Sequence, residues 1–179
     1  ANILLDTDAN KVLDATNVIL QSNPNHVDAL ALRARCFNII RNYKEAINNY
    51  QKIISLAPNN SLAYESLAIS FSNSGNASEA IQQHEKAIKL DPSNEYVFVN
   101  WGFNLNEVGR YEEAIEKYQK AVAINPNNKL VYGFWGNSLA ALGRHEEAMD
   151  MYLKAIEIDP NNFYVYSLFG SSLTELELY

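Results

Sequence analysis

Few side chains in this 179-residue chain could do chemistry: three histidines, His26, His84 and His145, one cysteine, Cys36, and acidic pairs such as Glu112-Glu113 and Glu146-Glu147. Histidine and cysteine can hold a metal when three or four of them converge, and paired carboxylates can move protons. The spacing of the chain argues against both uses. All five prolines, Pro24, Pro58, Pro92, Pro126 and Pro160, stand 34 residues apart, and a fixed period of roughly 20 to 50 residues is the signature of a repeat array. With the proline numbered position 32 of each unit, the histidines fall at positions 34, 24 and 17 and Cys36 at position 10. They belong to different layers of the repeat and do not easily converge on one metal. The acidic pairs recur at positions 18 and 19, where a helix start favours carboxylates through its dipole. No glycine-rich phosphate loop, nucleophile elbow or paired-carboxylate cleft is recognisable. The sequence therefore assigns no catalytic residues, metal or cofactor, and the chain reads as no enzyme.

The elements follow from the same period. Four full units run 27–60, 61–94, 95–128 and 129–162, flanked by a partial N-terminal unit at 1–26 and, at 163–179, a truncated unit with a first helix only. Position 8 reads Ala34, Ala68, Gly102, Gly136 and Gly170, and position 20 reads Ala46, Ala80, Ala114 and Ala148. Residues this small predict two helices whose backbones approach closely. Position 24 carries Tyr50, His84, Tyr118 and Tyr152, with His84 read as a packed histidine. Gly75, Gly109 and Gly143 at position 15 predict a left-handed residue ending each first helix. The stop after each second helix, as in Asp91-Pro92-Ser93-Asn94, combines a proline that cannot continue a helix with an asparagine able to cap the next.

Composition bounds the partners. A net charge of -7 and a pI near 4.9 disfavour nucleic acid and anionic membrane, which need a basic footprint, and favour a neutral or basic protein. One cysteine permits no intrachain disulfide, which makes the cytoplasm the default compartment. No window approaches the length of apolar chain that crosses a bilayer. The start at Ala1, and ends that fall inside the repeat, suggest a piece of something longer. Asn59-Asn60-Ser61 and Asn76-Ala77-Ser78 match the glycosylation pattern, which an asparagine-rich chain produces by chance.

The third unit, with Phe98, Trp101-Gly102, Leu105, Gly109, Tyr111, Ala114, Tyr118, Ala121 and Pro126, resembles the tetratricopeptide repeat family. The likeness extends over essentially the whole chain. It departs at Arg33 and Arg41 in the first unit, which replace an apolar residue and the turn glycine, and at Glu177 at the last turn. The resemblance implies an all-α, right-handed superhelical solenoid of antiparallel helix pairs, a single array over 1–179. Its first helices would line a concave groove that binds peptides or proteins.

The groove positions of the family, carried onto this sequence, are Arg35 and Asn38, then Leu62, Glu65, Ile69 and Asn73, then Tyr96, Val99, Asn100, Phe103 and Asn106. Leu130, Gly133, Phe134 and Asn137 follow, and Tyr164 closes the set. Its middle is apolar and aromatic, the usual mark of a binding surface; the alternative is packing against neighbouring helices. Gly133, in mid-helix, reads either as room for a bulky ligand group or as neutral drift. The clamp with which co-chaperones of this family hold acidic C-termini is absent, since Val99, Phe103, Leu130 and Phe134 stand where polar or basic residues would be required. The asparagine ladder of related sugar transferases is absent too, its place taken by Leu32, Ser66, Asn100, Phe134 and Leu168.

The expected function is a protein–protein interaction scaffold that takes a neutral to basic segment with apolar anchors. The alternatives are self-assembly into homo-oligomers through the terminal helix, whose packing side carries Tyr166, Phe169 and Leu173, or service as the targeting arm of a larger enzyme.

Overall fold

A computed structural model describes residues 2–177, with side chains described from 8 to 175. Ala1, Leu178 and Tyr179, which the period assigns to the flanking partial units, lie outside the described residues. Among the described residues there are ten helices and no strand, grouped in two compact units, Ala1–Pro92 and Ser93–Tyr179.

The first unit holds α1 (Asn2–Ser22), α2 (Val27–Ile39), α3 (Tyr43–Leu56), α4 (Ser61–Asn73) and α5 (Ala77–Leu90). Each helix packs on the next in sequence. Leu20, Leu30, Ala34, Tyr50, Ile53 and Leu67 form a continuous core among the first four. The second unit holds α6 (Glu95–Glu107), α7 (Tyr111–Ile124), α8 (Val131–Ala141), α9 (His145–Ile158) and α10 (Phe163–Glu177). Here α8 also touches α6 and α10, so the first helices of successive repeats share one layer and α7 and α9 the other. Its core joins Ile115, Tyr132, Leu139, Tyr152 and Val165.

The helix boundaries have local causes. A helix start leaves orphan backbone N–H groups, and the residue after each Pro-containing turn accepts one of them. Asn60 Oδ1 takes Ala63 N–H at 3.0 Å, Asn94 takes Tyr96 at 3.1 Å, Asn128 takes Leu130 at 3.1 Å and Asn162 takes Val165 at 3.3 Å. His26 occupies the same column and does the same through Nδ1, to Ala29 N–H at 3.3 Å, which gives that histidine a structural task. Each first helix then ends in a left-handed residue: Gly75, Gly109 and Gly143 have φ of 81°, 75° and 73°. Arg41 takes the same conformation, φ 60°, without being glycine. Its turn closes in the same way, with Asn42 N–H reaching Phe37 O at 2.8 Å as Asn76 N–H reaches Phe71 O at 2.9 Å.

Two pairs of repeat positions couple the helices within single repeats. Position 7 meets position 23: Arg33 Nε donates to Asn49 Oδ1 at 2.9 Å, Lys117 Nζ lies 4.5 Å from the Trp101 ring centroid, and Trp135 and Met151 share the second core. The departure at Arg33 is thus matched by a change at its partner position. Position 26 covers position 4 with an ammonium over a ring: Lys86 over Tyr64 at 5.7 Å, Lys120 over Phe98 at 5.9 Å and Lys154 over Tyr132 at 5.9 Å. Where position 4 is Leu30, Lys52 donates instead to Pro24 O at 2.6 Å.

Candidate binding surface

In the first unit, α2 and α4 flank an open cleft of about 530 Å³, with Tyr50 and Ile53 of α3 as its floor. Four of the residues chosen from the repeat pattern, Arg35, Asn38, Leu62 and Ile69, come together there. Asn38 spans the cleft, donating from Nδ2 to Ser70 Oγ at 2.9 Å, while its Oδ1 is buried without a hydrogen-bond partner. Leu62 is 65% exposed at the rim. Burial raises the pKa of the Tyr50 hydroxyl, opposed by a hydrogen bond with Ser66 and by the nearby Arg35 charge. Glu65, half-buried, and Asn73, exposed near the end of α4, are not part of the cleft lining.

The second unit presents an aromatic face. The Phe103 and Phe134 rings, from α6 and α8, meet at 5.6 Å with a 58° tilt, and Phe134 stacks at 6.4 Å on Tyr118 from α7. Beside them Asn106 ties two side chains together: its Nδ2 donates to Tyr118 OH at 3.2 Å, and its Oδ1 accepts from Ser138 Oγ at 2.8 Å. One repeat further, Tyr152 OH donates to Asn137 Oδ1 at 3.0 Å and Asn137 Nδ2 to Tyr164 OH at 3.4 Å. Burial holds the Tyr118 proton far above the usual phenol range and pushes the Tyr152 pKa up to about 12, opposed by a hydrogen bond with Ser172. Neither hydroxyl is a base or nucleophile near neutral pH; Tyr118 OH accepts from Asn106 and Tyr152 OH donates to Asn137, both as structural bonds.

Tyr96, Leu130 and Tyr164 are exposed at the starts of α6, α8 and α10, and Asn100 is half-buried on α6. Val99 and Gly133 differ from that open-groove assignment. Both are buried, and a Cβ on Gly133 would sit 3.4 Å from Val165 Cγ2. Gly133 at position 5 packs there on Val165 at position 3 of the next first helix, and Val99 is closed off from solvent, so these residues are not free surface. The pattern also passed over Tyr118 and Tyr152, whose hydroxyls reach through from the second helices. Their signal was present: tyrosine at position 24 recurs opposite glycine at position 8.

Models of the tetratricopeptide repeat match the sequence over residues 27–60, 49–82 and 105–169. The chain belongs to the tetratricopeptide repeat family. No curated protein sequence matches it significantly. Among solved structures, a crystal structure of MamA is similar at 23% identity and a TM-score of 0.81, over 88% of this chain and 92% of that one. YrrB, described as a tetratricopeptide repeat protein with an unusual peptide-binding site, is similar at 18% identity and a TM-score of 0.77, over 93% of this chain and 87% of that one. The first tetratricopeptide repeat domain of Spaghetti (RPAP3), bound to the HSP90 peptide SRMEEVD, is similar at 25% identity and a TM-score of 0.64, over 65% of this chain and 93% of that one. The likenesses to MamA and YrrB show a shared fold. Tetratricopeptide repeats are typically non-catalytic interaction modules, and this chain carries that architecture.

Proposed function

We propose that the chain is a non-catalytic scaffold that binds a peptide or protein segment, neutral to basic and with apolar anchors, on the faces of its first helices. One observation carries this reading. Position 2 of four successive repeats holds a large apolar residue that stays in water: Leu62 at 65%, Tyr96 at 54%, Leu130 at 45% and Tyr164 at 59% exposure. A single exposed leucine needs no explanation, but the same placement kept through Tyr96, Leu130 and Tyr164 of the second unit is a surface awaiting cover, and Leu62 stands at the rim of the cleft in the first. The HSP90 peptide bound by the Spaghetti domain, and the peptide-binding site ascribed to YrrB, support a peptide as the class of ligand. Cys36 is a free, buried thiol, and among the described residues no helix is long and apolar enough to cross a membrane. We assign the chain to the cytoplasm on the first of these. Replacing Leu62 and Tyr96 together by serine tests the scaffold reading. It stands if partner capture from the native source is lost at unchanged thermal stability, and falls if capture persists.

A second reading, self-association through α10, is favoured by Phe163 at 84%, Tyr166 at 44% and Leu173 at 37% exposure on that helix. Light scattering over a concentration series decides it: dimers abolished by Tyr166→Lys support it, and a strict monomer excludes it.

A further inference from the structure

The cleft of the first unit is apolar in the middle and carries opposite charges along one wall. Asp28 lies in the first turn of α2 and Arg35 seven residues further on, two helical turns and therefore on the same face, about 10 Å along the axis. Both are exposed, and neither has an ion-pair partner among the described residues. Ala31 lies between them, faced across the cleft by Leu62 and Ile69, and the partnerless Oδ1 of Asn38 is one turn beyond Arg35. A ligand matching this wall carries a cation and an anion about 10 Å apart with apolar surface between. A nucleic acid strand, negative throughout, would be repelled at Asp28. An α-helix, about 10–12 Å across with its side chains, is too bulky for a cleft of about 530 Å³, which suits an extended chain. An extended chain of the polyproline II type advances about 3.1 Å per residue with three residues per turn, so side chains three positions apart lie on one face about 9 Å apart, and the two charges belong at that spacing.

Resting on the scaffold reading above, we propose that this cleft binds an extended segment of a partner polypeptide, of the polyproline II type, in which an apolar side chain stands between a basic and an acidic residue three positions apart. The basic residue meets Asp28, the acidic one Arg35, and the apolar side chain lies over Leu62 and Ile69. The order of the two charges fixes the direction of the bound segment.

The test is a methyl NMR titration of the whole chain with the blocked hexapeptide Gly-Lys-Ala-Leu-Glu-Gly at millimolar concentration. The expected result is saturable shifts at Ala31, Leu62 and Ile69. Arg35→Glu weakens binding at least about fivefold and regains it with the peptide carrying Lys in place of Glu. Asp28→Lys behaves in the mirror sense with Glu in place of Lys. The proposal is overturned if the peptide with both charges replaced by Gln binds as tightly, or if Arg35→Glu treats both charged peptides alike. In either case Leu62→Ser separates the readings: loss of all shifts keeps the groove as a binding surface without charge recognition. Absence of methyl shifts with every peptide removes this proposal, and retained capture of the native partner by the Leu62 and Tyr96 double variant independently removes the scaffold reading.

Discussion

The Tyr118 ring lies directly against the Cα of Gly102: a Cβ built on that glycine would stand 2.7 Å from ring atom Cζ. Gly136 and Tyr152 repeat the relationship, with Cδ1 at 2.6 Å. The small residues at position 8 therefore make room for an aromatic ring that fills the space between the paired helices. Ala34 opposite Tyr50, both buried in the first core, shows that a helix pair can be spaced for both a methyl and a ring. Gly102→Ala accordingly forces a repacking that outweighs the gain in helix propensity, and lowers stability by about 1–2 kcal/mol. Denaturant midpoints measure it, and a stabilised variant would refute the account.

The hydrogen bonds that Asn106 makes with Tyr118 and Ser138 tie the aromatic face to α7 and α8. Ser138 is fully buried, so Ser138→Ala leaves Asn106 Oδ1 without its donor and costs about 1–2 kcal/mol. Double-mutant cycles with Tyr118→Phe should show coupling between the two positions, because both bond to the Asn106 side chain.

Arg41 holds a left-handed backbone that its neighbours in the period assign to glycine. Arg41→Gly removes the Cβ clash at the expense of a looser unfolded chain, for a net gain of about 0.5–1 kcal/mol. A rise in melting temperature at unchanged unfolding cooperativity is the expected reading.

His84 is fully buried, and burial lowers its pKa from 6.5 to about 4. Above pH 6.5 it is neutral in both folded and unfolded chains and contributes no pH dependence. As the pH falls from 6.5 toward 4 the unfolded chain gains a proton that the folded chain refuses. Stability is lost across that window, by about 3 kcal/mol. Urea midpoints at pH 7, 5 and 4 should show the loss in the parent chain and a smaller one in His84→Tyr, which restores the aromatic found at this position in the other repeats.

What could be read from the sequence was whatever the repeat had copied. The proline stops recur five times, the asparagine caps four and the glycine turns three, so their phase gave helix boundaries to within a residue; α8, which starts at Val131, two residues later in its repeat than its counterparts, is the exception. Depth was harder to read. The groove pattern says which side of a helix a residue occupies, but Val99 and Gly133 lie where one first helix leans on the next, and the closeness of that contact is set by the bulk of residues such as Val165. The cleft floor at Tyr50 and Ile53 was legible only as core, because the same two side chains serve packing on one side and the cleft on the other. Single departures such as Arg33 made sense only once Asn49 was seen beside it.

The position 7 with 23 and position 4 with 26 pairs lie wholly within one repeat, at separations of 16 and 22 residues. A whole repeat excised between successive prolines carries both members of each pair with it. A chimera joined between its two helices instead sets an unmatched side chain against each ring or guanidinium. Exchange of complete 34-residue cassettes is therefore the tolerated route by which such a chain could be lengthened, shortened or given a different ligand face, and the joints belong at the prolines.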